Sequence, residues 1–328
     1  MPAPPPLPGG PRGPAVVTDG PIEAGDSKQF RTAARIGRWT VGQAFEGVVE
    51  PEGAPCTIVF PDVVGADVVP WLAAMRAEVQ RNRALVGLPI DGWIYAGQTV
   101  DRRVFAVLPP LVGKALDAHV AETGPLDTLA ALQLGVELAD ALTRAHGRGR
   151  CLGELAPAAV RLPTERAERM SVVDVGAARG LFRLTIQPVG ADARFASPHV
   201  AAGGAPRPVD DVWAVGALVT WLFGTPGHED APRGGVAINP ALGAFAPHVD
   251  GVLAAALDEV AGQASKRVAD MADLARALRG LRDLYRLSPE AQQAILALRP
   301  HEPAQASDVP PALAYVETDS GTSPRTRQ

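Results

Sequence analysis

Residues 145–160 read AHGRGRCLGELAPAAV and are the most informative stretch of this 328-residue chain. They overlap the end of a segment, Thr128 to Arg148, in which apolar residues recur at helical spacing. Asp127 precedes this segment, and aspartate is a residue type that caps the N-termini of helices. The stretch therefore predicts the end of a long amphipathic helix, followed by a loop that contains glycine and proline.

A second stretch, residues 211–223, reads DVWAVGALVTWLF. Its mostly apolar part, Val212 to Phe223, has 12 residues, whereas a membrane-spanning helix needs roughly 20. Because this part is apolar nearly all round, it predicts a helix that is buried on every side.

The chain before residue 113 shows a different pattern, in which short β-type runs are separated by glycine and proline. These runs cover residues 44–49, 56–60, 93–96 and 104–108. One helical segment, Val68 to Leu85, interrupts them. The order predicts a small β-rich lobe with one helix, followed from about residue 114 by a larger helical lobe.

Taken in order, these segments resemble a eukaryotic-type serine/threonine protein kinase of the bacterial kind. The resemblance covers about residues 30–285 and rests on a series of partial motifs. It implies an α+β, protein kinase-like fold over residues 28–298, with an N-lobe (28–110) and a C-lobe (111–298). Residues 1–27 are rich in proline and glycine, and we expect flexible tails there and over residues 299–328.

The resemblance puts a nucleotide site between a glycine-rich loop and the hinge that joins the lobes. Gly37 and Gly42 match glycines that let backbone N–H groups approach phosphates, whereas Trp39 stands where the family has another glycine. At the hinge, the family's two adenine contacts, a carbonyl and an N–H, fall on Pro109 and Leu111. These glycines and hinge residues are the cofactor-binding positions if a nucleotide binds.

The charged groups that handle phosphates in the family are largely changed. Val59 falls at the strand position of a lysine, and no lysine occurs between Lys28 and Lys114. Glu78 matches the helix glutamate that this lysine pairs with in the family. Because the lysine is missing, we expect Glu78 to be a solvated side chain of its helix.

The catalytic-loop motif of the family falls on residues 152–159. Glu154 stands at the position of the catalytic base, Ala156 at that of a lysine and Ala159 at that of a metal-binding asparagine. Asp174, which precedes valine and glycine, matches the metal-binding aspartate. We interpret Glu154 as a surface carboxylate, expect no catalytic residue, and take Asp174 as the candidate metal and cofactor ligand.

Other replacements keep the packing positions of the family and remove its chemistry. Leu152 stands in place of a histidine, and Gly153 in place of an arginine that grips phosphorylated activation segments. Asp211 matches an aspartate that ties its helix to the catalytic-loop backbone in the family. The resemblance thus predicts a kinase scaffold without the phosphate-handling groups.

Composition narrows the function classes further. The formal net charge of −5 is spread along the chain and indicates neither nucleic acid nor an anionic membrane as a partner. Two cysteines, Cys56 and Cys151, are too few for a disulfide framework or a four-cysteine zinc site. The first residues lack the basic and apolar regions of a secretory signal, and we expect a cytoplasmic protein.

Three hypotheses about function remain open. The first is a pseudokinase, a kinase-like domain that transfers no phosphate and acts as a regulatory or scaffolding module in bacterial signalling. It implies no cofactor and protein partners, such as an active kinase or a phospho-binding protein. The second is a divergent kinase that binds ATP and Mg²⁺, with Glu154 as base and Asp174 as metal ligand. The third is a sensor that binds nucleotide without consuming it.

Overall fold

The structure is a computed structural model that describes residues 21–23, 29–39, 42–61, 68–153, 155–164, 170–173, 195–223, 242, 245–257 and 268–287. Two residues singled out by the sequence, Glu154 and Asp174, lie outside these ranges. So do both predicted tails, apart from residues 21–23. The described residues up to Arg286 belong to one compact unit.

The β-rich part of the chain forms seven strands and one helix within the described residues up to Leu108. In chain order these are β1 (Pro21–Glu23), β2 (Gln29–Trp39), β3 (Gly42–Glu50), β4 (Ala54–Phe60), α1 (Val68–Asn82), β5 (Ile90–Asp91), β6 (Tyr95–Gln98) and β7 (Val104–Leu108). Six strands form an antiparallel sheet in the order β1-β2-β3-β4-β7-β6. Strand β1 lies within the segment that composition predicted as a tail.

One strand boundary differs from the prediction. The expected strand over residues 93–96 lies two residues later, as β6, because its pairing with β7 is set by the turn between them. In that turn the Thr99 N–H donates to the Arg103 carbonyl oxygen at 2.8 Å. The predicted helix over 68–85 is present as α1, with its last three residues, Arg83–Leu85, in a 3₁₀ turn.

The two faces of the large sheet bury different side chains, because successive residues of a strand point to opposite faces. On one face Val59 packs with Trp71 and Met75 of α1. On the other face lies a cluster that is mainly aromatic, made up of Phe30, Phe45, Cys56, Ile58, Phe60, Phe105 and Val107. Every residue of β7 is buried, since both faces of this strand are covered.

The helical lobe follows from Lys114. Its described elements are β8 (Lys114–Ala115), α2 (Leu116–Thr123), α3 (Thr128–His146), β9 (Val160–Leu162), β10 (Ser171–Val173), α4 (Pro198–Ala201), α5 (Pro208–Phe223), α6 (Ala246–Leu257) and α7 (Met271–Tyr285). A small sheet in the order β5-β10-β9-β8 lies beside the helices. Strand β5, which follows α1, pairs in parallel with β10 and so connects the two lobes.

Helices α3 and α5 lie in the core of the helical lobe. The Asp127 carboxylate accepts a hydrogen bond from the Ala130 N–H at 2.8 Å, and so caps α3 as predicted. In α5 every residue from Asp210 to Phe223 except Trp221 is buried, which confirms the prediction of a helix buried on all sides. Among the helices within the described ranges, none combines the length and the apolar character needed to cross a membrane.

The two cysteines lie in different environments. Cys56 is buried in the aromatic cluster, and this burial raises the pKa of its thiol to about 11. Cys151 is half-buried, and its Sγ lies 3.4 Å from the Pro206 carbonyl oxygen.

We expect one thiol to react with DTNB in the folded protein at mildly alkaline pH, and both after denaturation. Cys151→Ser should abolish the native reaction, whereas rapid modification of Cys56 in that variant would contradict this assignment.

Candidate functional site

The strand position that the resemblance assigns to a phosphate-binding lysine lies inside an apolar cluster. Val59 pairs with Ala44 of β3 and with Ala106 of β7, and its side chain is 1% exposed. Trp71 and Met75 of α1 pack in the same cluster. The position is therefore part of the contact between the sheet and α1.

The hinge N–H that the resemblance assigns to adenine has a partner within the chain. The Leu111 N–H donates to the Thr57 hydroxyl at 3.3 Å, and Thr57 is buried in β4. Pro109 is half-buried and lines a cleft of about 490 Å³ beside the end of α1. The Leu111 N–H thus has a partner within the N-lobe, whereas Pro109 faces the cleft.

The glycines of the first motif lie at the turn between β2 and β3. Gly37 pairs with Ala44, and Gly42 has a φ of +145°. A Cβ atom on Gly42 would lie 2.1 Å from the Phe60 carbonyl oxygen, so only glycine fits there. The close approach of β4 therefore explains Gly42 without any bound phosphate.

The described part of the catalytic-loop region is packed against the core. Leu152 and Ala156 belong to the apolar cluster of the helical lobe, and Ala159 is also buried. Gly153 has a φ of +76°, and a Cβ atom on it would lie 2.6 Å from the side chain of Pro206. The positions at which the family has histidine, lysine, asparagine and arginine are thus sites of close packing.

Asp211 holds this loop in place, as the resemblance implies. Its carboxylate accepts hydrogen bonds from the Leu152 N–H at 3.0 and 3.1 Å and from the Gly153 N–H at 2.5 Å. The Nε2 atom of His146 lies 2.7 Å from its Oδ2 atom. One buried carboxylate therefore joins the start of α5, the end of α3 and the loop backbone.

Glu78 is not solvated, and the prediction that it would be is wrong. Its side chain is 1% exposed, and its carboxylate is ion-paired with Arg150 and with Arg81. The guanidinium of Arg150 also donates to the Asn82 Oδ1 atom at 2.8 Å. A buried carboxylate requires a partner. Here Arg150 of the helical lobe takes the place of the strand lysine that the resemblance implies.

Sequence reasoning missed Arg150 because 72 residues separate it from Glu78. A signal was nevertheless present. Arginine occurs at 144, 148 and 150, immediately before the catalytic-loop motif, and a helix acid without its usual lysine needs another cation if it is buried.

A second buried acid lies where the chain enters α5. Asp210 accepts hydrogen bonds from the Ser197 hydroxyl at 2.7 Å and from the Arg207 backbone N–H at 2.8 Å. Burial alone would raise the pKa of Asp210, but the hydrogen bonds from Arg207 and Ser197 outweigh it and lower that pKa. The Ser197 Oγ atom also accepts from the Val200 N–H and caps α4.

Comparison with known proteins gives likeness of two kinds. No protein-family model matches the chain. Over 128 residues the chain is 32% identical to the serine/threonine-protein kinase PknK of Mycobacterium tuberculosis and to that of Mycobacterium bovis. The match covers 38% of this chain, and the chain spans only 11% of the length of these curated relatives.

Solved structures of the PknI kinase domain of Mycobacterium tuberculosis resemble the chain over most of its length. Two of them have TM-scores of 0.59 and 0.60, at 18% and 20% sequence identity. They cover 82% and 81% of this chain and 100% of each PknI chain. The chain therefore has the two-lobed α+β fold of protein kinase domains, and its likeness to PknK supports a relationship with the bacterial eukaryotic-type serine/threonine kinases.

Proposed function

We propose that this chain is a pseudokinase that transfers no phosphate and acts as a regulatory or scaffolding module in bacterial signalling. The observation that carries the proposal is the burial of three positions at which the resemblance expects phosphate-handling groups. Val59, Ala156 and Ala159 are all buried. A cation or a metal ligand at any of them would have to displace the packing of the lobe.

A kinase domain that lacks these three phosphate-handling groups is expected to lose most of its phosphoryl-transfer activity. Phosphoryl transfer depends almost entirely on positioning and charge stabilisation, since the protein does little covalent chemistry. Removing one stabilising group of this kind typically lowers kcat by about 10²–10³-fold. Such effects are not additive. Three apolar residues at these positions nevertheless support the proposal that the chain transfers phosphate at no measurable rate.

The described residues also fit ATP and Mg²⁺ poorly. Val59 offers no charge to the phosphates, and the Leu111 N–H is donated to Thr57. Gly42 is explained by its contact with Phe60. We therefore propose that the domain has no resident nucleotide. The alternative is a kinase that binds ATP and Mg²⁺ with Glu154 as base and Asp174 as metal ligand, and a binding experiment distinguishes the two.

A protein-binding role is supported by apolar side chains on the surface near the end of α1. Val86 and Ile94 are 76% and 50% exposed, and both line the cleft beside this helix. Contiguous exposed apolar patches mark sites of protein–protein contact, and we propose that Val86 and Ile94 form part of one. We propose that the partners are proteins, with an active kinase or a phospho-binding protein as the first candidates.

A thermal-shift titration with ATP and ADP, with and without Mg²⁺, tests the proposal. A ligand that binds only the folded state stabilises it by RT ln(1 + [L]/Kd), which is about 1.4 kcal/mol at a ligand concentration ten times Kd. We expect no shift in Tm at millimolar nucleotide. An active kinase domain treated in parallel shows that the assay detects binding.

Two variants separate the remaining outcomes. A rise in Tm that requires Mg²⁺ and disappears in Asp174→Asn would refute the absence of nucleotide. Transfer of labelled phosphate from ATP to a general protein substrate, lost in Glu154→Gln, would refute the absence of catalysis. A shift without transfer would instead support the nucleotide sensor.

A further inference from the structure

The buried carboxylate of Glu78 joins the two lobes. Its Oε1 atom is ion-paired with Arg150, which follows α3 in the helical lobe. Its Oε2 atom accepts hydrogen bonds from Arg81 at 2.5 and 2.8 Å. Because the side chains of Glu78 and Arg150 are only 1% and 10% exposed, the charge of each is neutralised mainly by protein groups.

A second acceptor on α1 completes the contact with Arg150. The same Nη2 atom donates to the Asn82 Oδ1 atom at 2.8 Å, and the Asn82 Nδ2 atom lies 3.5 Å from the Trp93 carbonyl oxygen. Glu78 and Asn82 are four residues apart, so they lie on one face of the helix. A planar guanidinium suits two fixed acceptors better than the compact ammonium of lysine does.

Arg148 holds the turn that follows α1. Its Nη1 atom donates to the carbonyl oxygens of Ala84 and Val86 at 2.9 and 2.8 Å. The short segment from 148 to 150 therefore contacts the last turn of α1 and the turn after it. Moving α1 away from the helical lobe would separate the Arg150 guanidinium from Glu78 and Asn82 and leave the Glu78 carboxylate with Arg81 alone, which is unfavourable for two buried charged groups.

We propose that Arg150 fixes α1 against the helical lobe, and that the lobes keep this arrangement whether or not a nucleotide is present. In protein kinases the corresponding helix is positioned through an ion pair between its glutamate and the strand lysine. In this chain Val59 occupies the strand position, and Glu78 is bound from the other lobe. The inference deepens the proposed function, since a fixed arrangement presents one constant surface to partner proteins.

Hydrogen–deuterium exchange at the α1 amides tests the role of Arg150. We expect exchange across residues 72–82 to be at least about tenfold faster in Arg150→Met and intermediate in Arg150→Lys, with α3 unchanged. Arg83→Met is the matched control, because Arg83 is exposed in the next turn and outside this network, and it should exchange like the wild type. Wild-type exchange of α1 in Arg150→Lys and Arg150→Met would overturn the proposal.

A double variant keeps the test valid if Arg150→Met does not fold. Glu78→Leu with Arg150→Met removes both charges, so we expect it to fold and to exchange more slowly at α1 than either single variant. If Arg150→Met does not fold, Arg150→Lys provides the comparison for α1. If the effects of Glu78→Leu and Arg150→Met on exchange at the α1 amides simply add in the double variant, the ion pair does not fix α1.

The nucleotide arm separates this proposal from the proposed function. We expect ATP with Mg²⁺ to leave α1 exchange in the wild type unchanged. Protection of α1 by ATP with Mg²⁺ would show that a nucleotide positions the helix and would overturn the inference. A thermal shift with ATP but unchanged α1 exchange would refute the proposed absence of nucleotide and leave the role of Arg150 intact.

Discussion

Val59→Lys, which places a lysine where protein kinases have one, is expected to destabilise the domain and not to create a nucleotide site. The new ammonium would lie in an apolar cluster beside Trp71 and Met75, while Glu78 is already bound to Arg150 and Arg81. An uncompensated buried charge typically costs about 3–5 kcal/mol. For a domain of this size, that corresponds to a fall in Tm of about 10 °C.

Urea unfolding of Val59→Lys beside Val59→Met measures this effect. The methionine variant keeps the site apolar and should cost about 1–3 kcal/mol, because it adds volume to a packed cluster without a charge. A lysine variant that is as stable as the methionine variant and gains a Mg²⁺-dependent thermal shift with ATP would mean that the site lacks only its lysine. That result would refute the proposal that the described residues fit ATP and Mg²⁺ poorly.

Asp211→Ala is expected to have the largest effect of any single substitution in the helical lobe. The change removes the acceptor of the Leu152 and Gly153 N–H groups and the partner of His146. Hydrogen bonds to charged groups contribute about 1.5–3 kcal/mol each, so we expect a loss of at least about 4 kcal/mol. Asp211→Asn should cost less, because an amide oxygen can still accept from one of the N–H groups.

The matched control is Asp250→Ala, at an exposed position of α6. We expect it to change the free energy of unfolding by less than about 0.5 kcal/mol. Urea unfolding of the three variants gives the comparison. If Asp211→Ala were as stable as Asp250→Ala, the carboxylate would not be holding the loop, and the loop would owe its position to apolar packing alone.

The sequence predicted the features that depend on local pattern. The helical period of α3, its cap at Asp127 and the apolar run of α5 each reflect interactions within one element, and all three are confirmed. The order of strands and helices then resembled one fold, which the likeness to PknI supports over most of the chain. Periodicity and capping within single elements, together with the order of the elements, were sufficient to predict the fold.

The contacts that the sequence did not predict join residues far apart in the chain. Arg150 contacts Glu78, the Leu111 N–H contacts Thr57, and Gly153 lies against Pro206. None of these pairs has a periodic signature, because each arises when separate elements pack together. The wrong expectation for Glu78 has this origin: loss of its usual partner was visible in the sequence, and gain of another partner was not.

The contact between Gly153 and Pro206 limits which residues position 153 can accept. Arginine at position 153 would need both a left-handed backbone and space now taken by the proline ring, 2.6 Å from the would-be Cβ atom. Gly153→Arg alone would therefore combine a backbone strain of about 1–3 kcal/mol with a steric clash against the ring. Position 206 thus restricts position 153, and a larger side chain at 153 requires a smaller residue at 206.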